Sequence, residues 1–203
     1  MPYKKGLISR FEATISQVDE LLAIHHYLQS APVTKVTDNI LRASLAIMVS
    51  AIDTSIHELI VSAIIFEIKE DKTIFELTNV KVSALASKES DNDTRLRLIE
   101  LDLRRQFSKE SFQSSRQIEN SLAKIGIKKI WTKLSSTLGQ PPDDIKIKLD
   151  LLVRRRNQIV HEGDLDHLHN IREISRTDID EALTFTKLLV AGIINEYTKL
   201  ISV

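Results

Sequence analysis

Apolar residues recur at three- and four-residue spacings along most of the chain, the repeat of amphipathic helices rather than strands. Leu7, Ile8, Phe11, Ile15, Val18, Leu21 and Leu22 predict a first helix over residues 6–29, interrupted at Pro32. Leu41, Leu45, Met48, Ile52, Ile56, Leu59 and Ile60 carry a long second helix through residue 69, with Thr37 or Asp38 as its cap. The pattern weakens over residues 70–93, which read as a mobile insert holding a short helix over 73–80 and ending in the polar run Lys88–Asp93. Helices follow over residues 94–107 (capped by Asp93 or Thr94), 109–124 (stopped at Gly126) and 127–138 (stopped at Gly139). Gln140-Pro141-Pro142 forces an extended turn, and Asp143 or Asp144 then caps a helix over 144–162 that stops at Gly163. After a loop rich in Asp and His, Thr177 opens a last helix to residue 201, with Asp180 and Glu181 in its first turn. The expectation is one all-α domain over residues 1–203, an up-and-down helical bundle.

Composition narrows the chemistry. The chain has no cysteine, which excludes disulfides, thiolate nucleophiles and cysteine-based zinc sites. No signal-peptide core follows the first residues, and the most apolar stretch, Ile40 to Ile68, is broken by Arg42, Asp53, His57 and Glu58. These features point to a cytoplasmic protein with no membrane span. The net charge is zero but unevenly spread: −4 over residues 1–93, +6 over 94–133 and −2 over 134–203. The middle segment either attracts a phosphate backbone or forms solvated helix faces.

The helix over 144–162 carries an anomaly. At about 100° per residue, Leu149, Leu152, Val153, Ile159 and Val160 fall within about 80° of Ile145, an arc that should face the core. Arg156 lies only about 20° from Ile145, near the middle of that arc. A guanidinium there must find an anion or a wet cleft, because it cannot be neutralised. Asn157 and His161 are one turn apart and share a face, whereas His161 is about 140° from Arg156. Convergence of Arg156 and His161 on one group is easier if a second copy of the helix lies opposite.

The run Arg156-Asn157-(three residues)-His161 resembles the signature of HEPN domains. Its context, Leu149 to Asp164 with the Pro-Pro-Asp-Asp lead-in and the Trp131 region, looks like the RiboL-PSP branch of that superfamily. The close resemblance covers residues 130–165. It implies a HEPN-type bundle with additional helices, dimerising through the helix over 144–162. It also implies one of two activities: a metal-independent endoribonuclease of the toxin or defence type, or a non-catalytic module that binds RNA, nucleotide or a protein partner. Matched residue by residue, Arg156 and His161 correspond to the catalytic pair and Asn157 to the polar residue beside them.

The chemistry is sensible for RNA cleavage without metal. The ribose 2′-hydroxyl attacks the neighbouring phosphorus, histidine moves protons near neutral pH, and arginine steadies the charge building on phosphate oxygens. Asn157 would orient His161 or hold a phosphate oxygen. Arg154 and Arg155, next to the motif, are candidate RNA-phosphate contacts. Glu162, Asp53 and His57 are auxiliary candidates, with Glu58 beside them; the plainer reading makes Asp53, His57 and Glu58 a polar flank of the second helix. His25-His26 reads as a surface pair. Asp164, Asp166, His167 and His169 have the elements of a metal site but sit in one loop without a second cluster, so no metal and no cofactor is expected. The expected partners are the RNA substrate, a second copy of the chain and an antitoxin or other regulator. A helical scaffold with a chance motif match is the remaining reading.

Overall fold

In a computed structural model, residues 2–29, 34–70 and 83–201 are described. Eight helices follow one another among them: α1 (Pro2–Leu28), α2 (Thr34–Glu70), α3 (Ala84–Lys88), α4 (Asn92–Phe107), α5 (Ser115–Lys124), α6 (Ile130–Leu138), α7 (Pro142–Glu162) and α8 (Arg176–Ile201). The described residues are all-α; the one strand-like contact is an isolated bridge between Leu165 and Ile171.

The axis of the bundle is α2, against which α1, α4, α7 and α8 pack. The span Thr37–Glu70 is long and apolar enough to cross a membrane by length and composition alone. Here its apolar side chains are spent on neighbouring helices: Leu41, Leu45, Met48, Ile52, Ile56 and Leu59 are all buried. Two apolar clusters lie along it. One joins the later half of α2 to α4, α5, α6, the start of α7 and the end of α8. The other joins its earlier half to α1 and the start of α8. Leu152 and Val153 of α7 and Phe11 of α1 touch both, so the core is continuous. Placing Ile145 and Leu149 in the first cluster and Ile159 against the second makes α7 antiparallel to α2.

Several helix ends differ from the sequence expectation because the capping side chains lie elsewhere. Asp91, not Asp93 or Thr94, caps α4 by accepting the Thr94 amide. The fifth helix starts at Ser115 rather than residue 109, with Ser114 and Gln117 forming a reciprocal capping box. Residues 108–114 instead form a connection pinned to α2. The α6 helix begins at Ile130, after Lys129 in a left-handed conformation. For α7, Pro141 takes the cap position and Pro142 opens the helix, where its missing amide costs nothing. Ser175 exchanges hydrogen bonds with Asp178 at the start of α8. The expected short helix over 73–80 lies outside the described residues.

Close approach of α6 and α8 depends on Gly192. A Cβ there would lie 2.5 Å from a methyl of Leu134, which has no exposed surface. Gly192→Val is expected to destabilise the fold by about 2–3 kcal/mol through overpacking, read as an earlier urea midpoint at unchanged slope.

Candidate functional site

The site grows from the last two turns of α7. The apolar arc predicted for this helix holds at its start and fades toward its end. Ile145 and Leu149 are fully buried, Leu152, Val153 and Ile159 are half-buried, and Val160 is 49% exposed, contrary to its expected core position. In the final turn Ile159 still packs on the bundle, whereas Val160, His161 and Glu162 face outward. Arg156 sits where the covering runs out. It is half-buried, its Nε is shut off from solvent without a hydrogen-bond partner, and its Nη1 donates to Asn157 Oδ1 at 3.0 Å. No carboxylate among the described residues pairs with it. Asn157 is therefore seen holding the guanidinium; its exposed side chain makes no hydrogen bond with His161 among the described residues. His161 is exposed in the last turn of the helix, next to its final residue.

Opposite the core, α7 presents Ile147 and Leu151, each 57% exposed, beside exposed Arg154 and His161. On a helical wheel these four fall within about 80° of one another. Ile147 and Leu151 stand one turn apart, so they form a small continuous apolar patch on an otherwise polar face.

A family model describing the RiboL-PSP-HEPN family matches residues 12–199, nearly the whole chain. The chain belongs to the RiboL-PSP-HEPN family. Neither the curated proteins nor the solved structures contain a match. The match extends far beyond residues 130–165, so the other helices of this HEPN domain are part of the family fold and not appended to a motif.

Arg155 needs correction as a candidate RNA contact. Its guanidinium is engaged within the HEPN domain: it pairs with Asp164, and its Nη2 donates to Asp164 Oδ2 at 3.0 Å and to the Glu173 carbonyl at 2.9 Å. Asp164 is only 1% exposed and is shared with Arg42 of α2, whose Nε donates to Oδ2 at 2.6 Å. The Arg42 Nη2 also donates to the Arg172 carbonyl at 2.6 Å. Burial lowers the Arg155 pKa from its ordinary value, Asp164 opposes this, and the nearby cations Arg42 and Arg172 add to the lowering. Two guanidiniums on one buried carboxylate tie the end of α7, the start of α2 and the 163–175 loop together. Arg154, in contrast, is exposed and makes no ion pair among the described residues.

Arg42 carried a usable sign along the chain. It breaks an apolar helix as Arg156 does, and the same reasoning assigns it a buried anion. Asp164 carried no such sign, because a charged residue after a helix-stopping glycine ordinarily faces water.

The auxiliary candidates also lie elsewhere. Asp53 Oδ1 accepts the Phe112 amide at 2.6 Å, and His57 packs on the Phe112 ring with centroids 4.4 Å apart. Both thus hold the 108–114 connection onto α2. Arg42 marks the level of α2 that meets the end of α7, and Asp53 lies about 16 Å further along the helix. Neither Asp53 nor His57 is placed to tune His161. Glu162 is exposed and makes no side-chain hydrogen bond or ion pair with His161 among the described residues. Of the His25-His26 pair only His26 is on the surface. His25 is 3% exposed beneath Leu41 and Arg176, and burial followed by the Arg176 charge lowers its pKa. Asp166 Oδ1 accepts the Leu168 and Asn170 amides at 2.8 Å each, shaping the loop.

Glu58 anchors a separate network, accepting from Arg10 and, at 2.8 Å, from Arg104 Nη2. Burial favours its neutral form, but the Arg104 hydrogen bond and charge, with Arg10, outweigh it and hold the pKa below the ordinary 4.5. A depressed carboxylate contributes stability above its unfolded pKa and loses that contribution as pH falls through the folded value. The protein is therefore expected to weaken below pH 4.5. Glu58→Gln is expected to cost about 1–2 kcal/mol at neutral pH and to flatten the acid limb of stability against pH.

Proposed function

We propose that this HEPN domain is a metal-independent endoribonuclease working as a homodimer, with α7 of each chain contributing Arg156, Asn157 and His161. The observation that carries this reading is Arg156. It is a permanently charged group, partly withdrawn from water, with no acidic partner in its own chain among the described residues and with its orientation set by Asn157. A phosphodiester supplies the missing anion.

Within one chain, Arg156 and His161 point to different sides of α7. A second α7 packed on the Ile147–Leu151 face brings the two His161 imidazoles toward the seam, and Arg156, about 140° away around its own helix, meets the phosphate where the RNA passes around the end of α7. One imidazole takes the proton of the ribose 2′-hydroxyl as that oxygen bonds to phosphorus. Arg156 steadies the added charge on the non-bridging oxygens. The other imidazole, in its protonated form, donates to the departing 5′-oxygen. The products are a 2′,3′-cyclic phosphate and a free 5′-hydroxyl, and no atom is left unaccounted for.

Such an enzyme needs restraint inside a cell, which makes a toxin or defence role with an antitoxin or conditional regulator the natural setting. The rival reading, a non-catalytic module for binding and assembly, has Arg156 in a buried ion pair across the dimer; within one chain no acidic partner for it lies among the described residues. Incubation of the purified protein with RNA in EDTA tests the proposal: cleavage by the wild type and none by His161→Ala supports it, and equal cleavage by both defeats it.

A further inference from the structure

We propose that Asp164 is a positioning residue for the His161 imidazole, the inference resting on the ribonuclease reading above. His161 lies on the exposed side of the last turn of α7, next to the residue where the helix ends. Left to itself such a turn frays, and a proton-transferring group on it would wander by more than the reaction tolerates. The structure removes that freedom just beyond the histidine.

Gly163 and Asp164 are both left-handed, with φ of 64° and 59°. This pair reverses the chain so sharply that the Asp164 amide bonds back to the Gln158 carbonyl at 3.0 Å. The same reversal drives the Asp164 carboxylate inward, onto Arg155, nine residues earlier on α7, and Arg42 on α2. The Asp164 carbonyl accepts the Arg172 amide at 2.9 Å, and the carbonyls of Arg172 and Glu173 receive the remaining arms of the two arginines. His161 is thus bracketed between Arg155 and Asp164 of one closed ring of contacts that is anchored to the central helix of the bundle. Asp164 touches neither RNA nor the reacting atoms in this arrangement; it acts through the turn it locks. A left-handed aspartate is an uncommon choice where glycine or asparagine is easier, and only the acid supplies the charge that two buried guanidiniums require.

The test uses Asp164→Asn in the full chain. Asparagine keeps the shape and accepts a left-handed φ, but leaves Arg42 and Arg155 facing each other across a neutral group. Cleavage of RNA in EDTA is expected to lose about tenfold to a hundredfold in kcat with KM little changed. Hydrogen exchange at the amides of residues 158–164 and 172 is expected to quicken while α1 and α8 exchange as before. Adding Arg42→Gln, which removes the unbalanced cation, is expected to restore part of both. A wild-type kcat in Asp164→Asn overturns the proposal. So does a loss of kcat accompanied by faster exchange through the whole bundle, which marks a merely structural residue. If the wild type itself leaves RNA intact, the ribonuclease reading fails separately, and unchanged local exchange in Asp164→Asn then defeats the clamp as well.

Discussion

His161→Ala is expected to lower metal-free RNA cleavage by about a hundredfold to ten-thousandfold, the range over which a positioned proton-transfer group contributes. Arg156→Ala is expected to lose a comparable amount, about a hundredfold to a thousandfold, because it removes a preorganised donor from the charged transition state. Both variants should keep the helical fold, since His161 is exposed and Arg156 joins no ion pair among the described residues. Arg156→Lys separates two roles. Lysine keeps the charge but not the planar fork, and it cannot bond Asn157 and a phosphate in the same geometry. Partial activity in Arg156→Lys marks charge as the main contribution, and activity as low as in Arg156→Ala marks bidentate geometry. The measurement is the single-turnover rate on a labelled RNA in EDTA. Wild-type rates in both alanine variants end the ribonuclease proposal.

Ile147→Asp combined with Leu151→Asp is expected to convert a two-chain species to a single chain in sedimentation and to reduce cleavage on the order of a hundredfold or more, since each site loses the partner's imidazole. These side chains are more than half exposed on the face of α7 that carries Arg154 and His161. Replacing them removes no core packing and leaves the helix intact in circular dichroism. The carboxylates placed there repel one another across a two-fold seam, where the same patch of both chains meets. A variant that remains dimeric shows that the seam lies on another face. A monomeric variant with full activity shows that one chain suffices, which removes the composite site though not the chemistry.

The helices of this protein were readable from the chain because their cause is local. A three-to-four-residue apolar repeat selects a helix whatever surrounds it, and Gly139 and Gly163 stop α6 and α7 where the sequence placed the stops. Arg156 was legible for a related reason: a permanent cation among apolar neighbours is an anomaly that counting along one helix reveals. The fate of Arg155 was not legible. Its partner is nine residues away, aimed inward by two consecutive left-handed residues, and shared with an arginine more than a hundred positions earlier. Asp53 and His57 failed as neighbours of His161 for the same kind of reason. Their helix was correctly read, but its register against α7 depends on how side chains from several helices interlock.

Local spacing along a helix thus named the elements and the odd cation, because those follow from each residue's own geometry and polarity. Which charges meet, which remain open to a substrate and which face of α7 is left bare emerged from packing, because a contact between distant segments is set by the shape of everything between them.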